Sequence, residues 1–302
     1  MTSFHRRHFL KSSLAVAVAG AAAPFADLAF GLETKTVGAG NSNLRFGLVT
    51  YMWGFDWDLP TLLSNCERTG VFGVELRTEH AHGVDPHLSE AARIEVKNRF
   101  TDSPVTLVGL GCNADFHHLD QEKLRASIDK AKAFIRLSHD VGGSGVKVKP
   151  NDLPPDVPRE QTTSQIGQAL NELGAYAADY GQDIRLEVHG QCSPLPVIVE
   201  IMAVVDHPRV GVCWNSNSQD LKGEGLEHNF QLVEKRLGKT VHIQPFDGNQ
   251  YPTAKLIQLL QGIDYEGWLL LEASDQPSDR VAALKRQRTI FDRLADQEKC
   301  ED

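Results

Sequence analysis

Glu187 and His189 stand two residues apart in the apolar run DIRLEVHG (183–190), and His242 and Gln244 repeat that spacing in TVHIQPF (240–246). In an extended strand this spacing puts both side chains of a pair on one face. Glu272 follows the run WLLL, and Asn215 closes RVGVCWN (209–215). Two carboxylates, an imidazole and an amide oxygen gathered in one place suit a hard divalent cation: carboxylate and carbonyl oxygens favour Mg or Mn, and the imidazole widens the choice. Further polar residues stand at or near other run ends. Glu75 and Arg77 close VFGVELR (71–77) and precede His80 and His82; Asp115, His117 and His118 follow VTLVGLG (105–111); Lys147 and Lys149 alternate in GVKVKP (145–150). Arg77, Lys147 and Lys149 suit an anionic or hydroxylated substrate, while the two lysines would serve equally as inward-pointing partners of Glu75. Tyr51, Trp53 and Trp214 offer flat apolar walls for a sugar ring, with core packing the competing role for Trp214. A single histidine at a strand end is commonly a structural hydrogen-bonding group, so the joint placement carries the argument for a site.

Such a placement needs a scaffold that brings distant segments to one edge. The apolar runs number about eight when RFGLVTY (45–51) and GWLLLEAS (267–274) are included, and most are followed by a polar turn and a longer segment of helical period. From Gln121 to Asp140, for example, Leu124, Ile128, Ala131 and Ile135 recur near 3.6 spacing. Strands alternating with helices imply a parallel sheet, and eight of them favour a closed (β/α)8 TIM barrel, one α/β domain over residues 43–297, with its active site at the C-terminal strand ends. An open doubly wound sheet is the second choice; neither GxGxxG nor GxxxxGK occurs to anchor a dinucleotide or P-loop reading. The proline-rich NDLPPDVP (151–158) reads as a loop after the fourth strand.

Composition narrows the partners. The 302 residues carry 31 Lys+Arg against 40 Asp+Glu, a net charge of −9, and no basic stretch tracks a phosphate backbone, which argues against nucleic acid. The five cysteines are odd in number and irregularly spaced, so neither a disulfide framework nor a CxxC zinc site is expected. HRRHFLK (5–11) followed by an alanine-rich run (14–23) reads as a twin-arginine leader over residues 1–26, which implies a periplasmic or secreted protein. The apolar run is far short of the roughly 20 residues a spanning helix needs.

The stretches VELRTEHAHGV (74–84), the long segment from FHHLD to PNDLP (116–154), IRLEVHG (184–190), HPRVGVCWNSN (207–217) and VHIQPFD (241–247) resemble the sugar phosphate isomerase/epimerase family, whose fold is the xylose isomerase-like TIM barrel. The resemblance implies a metal (Mn, Mg, Co or Zn) held by Glu187, the residue at 215, His242 and Glu272. Relatives usually have Asp at 215; the Asn215 of this chain removes a negative charge and weakens the expected hold on a divalent ion. It further implies proton abstraction next to a carbonyl, giving an enediolate, with Glu187 and Glu272 as base and acid on opposite faces and His189 orienting a substrate oxygen. Glu75, Arg77, His117, Lys147, Lys149, Gln244 and Trp214 then become substrate contacts. Because export separates the chain from the main pool of sugar phosphates, the expected substrate is an unphosphorylated carbohydrate. A 3-keto-glycoside lyase acting by β-elimination, and a non-catalytic carbohydrate-binding protein for which Asn215 is the best argument, stand as alternatives; a barrel endonuclease would need more His and Asp ligands and a positive face.

Overall fold

The alternating runs become strands because one set of side chains packs into the barrel and the other against helices, a division that only period two allows. The computed structural model describes residues 43–296; the leader placed over residues 1–26, Cys300 and residue 297 lie outside them. Eight strands, β1 (Arg45–Val49), β2 (Gly73–Arg77), β3 (Thr106–Asp115), β4 (Gly145–Lys149), β5 (Asp183–Glu187), β6 (Val210–Asn215), β7 (Leu237–Ile243) and β8 (Trp268–Leu271), pair in parallel and in chain order. β8 returns to β1 through Leu48↔Leu271 and its neighbours, which closes the barrel. Eight helices alternate with them: α1 (Leu59–Thr69), α2 (Glu90–Thr101), α3 (Gln121–Asp140), α4 (Arg159–Ala178), α5 (Leu195–Val204), α6 (Leu226–Val233), α7 (Thr253–Gly262) and α8 (Arg280–Ala295). The helix expected over 121–140 has those same bounds, started by Asp120, whose carboxylate accepts from the Glu122 and Lys123 amides. No helix among the described residues is long and apolar enough to cross a membrane.

Two apolar regions result. The larger lies between the sheet and the helices and takes Leu48, Val74, Leu110, Val146, Leu186, Val212, Trp214, Val241 and Leu269 from the strands. The smaller fills the barrel itself with Val49, Val108, Trp268 and Leu270. Along the inner face of β8, Trp268 and Leu270 lead up to Glu272, just past the strand end. A Cβ on Gly73 would come within 2.2 Å of the Trp268 ring, so that position has room only for glycine. Cys66, Cys112, Cys192 and Cys213 are buried free thiols, and burial pushes Cys66 and Cys192 up to about 12, which leaves them unreactive at neutral pH.

Candidate active site

Period two carries the inner face of each strand upward to the mouth. Glu75 follows Gly73 on β2, Lys147 follows Gly145 on β4, Glu187 follows Arg185 on β5, Asn215 follows Cys213 on β6 and His242 follows Thr240 on β7. Asn215 and His242 are register partners across β6 and β7. Closure of the sheet therefore makes neighbours of groups nearly 200 residues apart in the chain.

Glu187, His242 and Glu272 each offer one ligand atom, all within 4.8 Å of one another. His242 is fully buried; its Nδ1 lies 3.5 Å from Glu187 and 3.3 Å from Glu272, and its Nε2 lies 3.2 Å from Glu75. None of these approaches is aligned as a hydrogen bond, and both ring nitrogens and both Glu75 oxygens lack hydrogen-bond partners. Buried polar atoms left without hydrogen bonds occur where an ion, a water or a reacting group has its place. Burial alone would lower His242, yet Cys213, Glu75 and Glu272 around it raise it well above the ordinary imidazole value. Asn215 Nδ2 donates to Glu187 Oε1 at 2.8 Å and to Glu272 Oε2 at 3.3 Å; its amide turned over would present the carbonyl oxygen to the same centre.

Lys147 is ion-paired at the site: its Nζ meets Glu187 Oε2 at 2.7 Å, with both side chains almost wholly buried. The expected partner Glu75 lies within electrostatic reach, but Glu187 takes the ion pair. Burial works to raise Glu187, and Lys147 and His242 overcome it, holding the carboxyl well below its ordinary value. Burial likewise raises Glu75, and His242, Lys147 and Arg185 bring it below.

Trp214 takes the core-packing role. Cys213 and Asn215 point into the barrel, so Trp214 points out of it, fully buried against Phe230 with its Nε1 donating to the Tyr251 hydroxyl at 3.2 Å. Trp53 is buried too, and its indole holds the Asp275 carbonyl. Tyr51 remains at the mouth, with the Arg77 guanidinium 4.6 Å above its ring. Gln244 donates to the Ser216 carbonyl at 2.9 Å and so ties the turn after β7 to that after β6. His80 and His82 are structural: they meet Thr50 Oγ1 and the Arg77 carbonyl, and burial, with His82 and Arg77 adding to it, pushes His80 down to about 4.

His189 is half-buried, its Nδ1 2.8 Å from Asn151 Oδ1, which turns the other edge of the ring away from that contact. Asn151 in turn donates to Asp115 at 2.6 Å, and Asp115 holds His118 at 2.7 Å. His117 joins this group, its ring 4.4 Å from that of His118 and one ligand atom of each of Asp115, His117 and His118 within 4.8 Å of the others, while its Nε2 lies 3.6 Å from Asp152. Sequence reasoning passed over Asn151 as loop; its φ of 58°, a left-handed conformation that Asn tolerates, is the local reason it turns back towards His189. It also passed over Arg185, buried in the barrel on the Val108 carbonyl and Ser144 Oγ, and the buried Asp220, which accepts from the Tyr251 hydroxyl and the Asn217 amide. Lys149 stays at the mouth, where burial and the adjacent Lys147 push it below the usual lysine value.

The chain is similar to known proteins over this whole barrel. An inosose isomerase from Bacillus velezensis is 22% identical over 179 residues, 58% of this chain and 63% of that protein, so the match spans less than two thirds of that relative's length. Among solved structures, the apo 3-keto-D-glucoside 4-epimerase YcjR from E. coli superposes with a TM-score of 0.69 at 15% identity, covering 83% of this chain and 99% of that one. The IolI protein with a bound zinc atom gives 0.71 at 16% identity over 85% and 100%. These distant likenesses show the fold. A family model described as xylose isomerase-like TIM barrel matches residues 63–293, well over half of the chain, and this protein therefore belongs to the xylose isomerase-like TIM-barrel family.

Proposed function

We propose that this protein is a carbohydrate isomerase or epimerase that moves a proton on carbon next to a carbonyl, with Glu187 and Glu272 as the acid–base pair. The observation that carries the reading is the convergence of Glu187, His242 and Glu272 within 4.8 Å, surrounded by buried polar atoms without hydrogen bonds. Those residues, with the Asn215 carbonyl, would hold a divalent ion, which when bound stabilises negative charge developing on substrate oxygens. The remaining work falls to the chain. Glu187 is kept ionised by Lys147 and so meets the substrate as a proton acceptor. Glu272, with its side chain 14% exposed, sits where β8 opens onto the mouth and serves the opposite face. His189, oriented by Asn151, presents its other ring nitrogen to a substrate hydroxyl. The names of the inosose isomerase and the 3-keto-glucoside epimerase support this reaction class. The leader signature supports a periplasmic or secreted location and an unphosphorylated sugar.

A metal-free carbohydrate-binding reading is favoured by one contact, the Asn215 amide hydrogens on both carboxylates. Elemental analysis of the purified chain and of Glu187→Gln, with solvent deuterium exchange into ketoses and 3-keto-glycosides, separates the two. Stoichiometric metal that falls in the variant, with exchange lost in Glu187→Gln and Glu272→Gln, is expected. A chain that stays metal-free after reconstitution and exchanges no sugar proton would favour the binding protein.

A further inference from the structure

The segment between β3 and α3 gathers metal-type ligands that the central site does not use. Asp115 ends β3, and His117 and His118 follow before α3 begins at Gln121. Neighbouring residues of an extended chain point to opposite sides, yet the His117 and His118 rings lie together, with 4.4 Å between centroids. Two anchors hold the chain in this shape. Phe116 is fully buried, and Gln165 of α4 donates to the carbonyls of Phe116 and His118 at 2.7 and 3.0 Å. Asp115, His117 and His118 thereby each bring one ligand atom within 4.8 Å of the others. Contacts within the protein account for only part of the group. His118 Nε2 has Asp115 Oδ1 at 2.7 Å, and Asp115 Oδ2 accepts from Asn151 at 2.6 Å, but His117 Nδ1 is buried and has no hydrogen-bond partner. A ring nitrogen shut away from water is costly unless something fills the place opposite it. The other nitrogen of that ring, Nε2, faces the Asp152 carboxylate at 3.6 Å, which favours the tautomer with its hydrogen on Nε2 and its lone pair on Nδ1. A histidine backed in this way by a carboxylate is set up as a metal ligand.

We propose that Asp115, His117 and His118 form a metal site of their own, separate from Glu187, His242 and Glu272, that takes a transition ion of the Zn2+ class. Two imidazoles and one carboxylate are too poor in oxygen for Mg2+ or Ca2+, and they match the three-ligand sets of zinc. The three side chains are partly exposed, so water reaches the remaining position. Asn151 and Asp152 back the ligands, and the bound ion fastens the segment between β3 and α3 at the rim of the barrel. His117 then serves the ion, where the sequence suggested a sugar contact.

Co2+ binding to the full chain, stripped of metal with chelator and followed by visible absorption, tests the site. The His242→Ala variant disables the central ligand set, and Glu272→Gln gives a second background that keeps the buried imidazole. Each is expected to bind a single equivalent of Co2+ with a Kd of about 1 μM or tighter, to yield it to Zn2+ and to keep it against excess Mg2+. Adding His118→Ala or His117→Gln should abolish that equivalent while the far-UV circular dichroism stays that of the background. Adding Asp152→Asn should weaken it about tenfold. Zn2+ should raise the Tm of each background and leave that of the double variants unchanged. Backgrounds that take up no Co2+, or uptake that survives the loss of both His117 and His118, overturn the site; displacement by Mg2+ overturns the class of ion. A further equivalent in wild type that His242→Ala lacks reports on the central site separately, so either assignment can fail alone.

Discussion

Asn215→Asp replaces one atom in the centre of the site and reverses the sign of its interactions. In the native chain Nδ2 donates to Glu187 Oε1 at 2.8 Å and to Glu272 Oε2 at 3.3 Å. A hydrogen bond to a charged acceptor contributes about 1.5–3 kcal/mol, and the longer contact falls at or below the lower end. Without metal, the substitution therefore removes about 3 kcal/mol and adds repulsion among three carboxylates, a loss that corresponds to about 6–12 °C in Tm for a domain of this size. The crowded carboxylates raise the folded-state pKa of one of their number. A carboxyl raised on folding favours the folded state in acid, so the penalty is absent below its unfolded value and grows as pH rises through the raised one. A saturating divalent ion reverses the order, because the restored charge improves the ligand set and binding to the folded state stabilises it. Urea unfolding at pH 5 and pH 8, in chelator and in excess Mn2+, checks each step. A chelated variant as stable as the native chain at pH 8, or one that gains no more from Mn2+ than the native chain does, would refute the assignment of Asn215 to the metal position.

Other perturbations read other parts of the site. Lys147→Met leaves Glu187 buried without its cation and should cost about 3–5 kcal/mol, with the double variant Lys147→Met, Glu187→Gln recovering much of it; because the depressed Glu187 stabilises above its unfolded value and loses that contribution as pH falls through its folded one, the gap to wild type should narrow in acid, and a pH-independent gap counts against the pairing. Divalent metal must displace the proton that the surrounding carboxylates favour on His242, so affinity measured by metal titration should rise with pH, and a flat profile would remove His242 from the ligand set. Burial pushes Asp220 up to about 7 from 3.8, so its contribution is greatest in acid and declines as pH rises through that value; Asp220→Asn should flatten this slope in unfolding experiments. Trp214→Phe loses the bond to Tyr251, costing about 1 kcal/mol of stability, while KM for any sugar substrate stays the same; a changed KM would return Trp214 to the pocket.

The elements and the identity of the central groups were legible in the sequence because they follow local rules. Period-two runs and the 3.6 spacing of Leu124, Ile128, Ala131 and Ile135 state the strand and helix pattern, and eight repeats leave the closed barrel as the economical solution. That pattern also placed Glu187, His242, Asn215 and Glu272 at C-terminal strand ends, and the convergence of Glu187, His242 and Glu272 within 4.8 Å follows once the sheet closes. The same alternation already implied that Trp214, between the inward Cys213 and Asn215, must face the helices. What no local rule states is which partner each charge takes. Lys147 reaches Glu187 in preference to Glu75, and Asn151 turns back to link His189 with Asp115. Those choices depend on barrel register, side-chain reach and competition inside a closed space, and only the tertiary structure decides them.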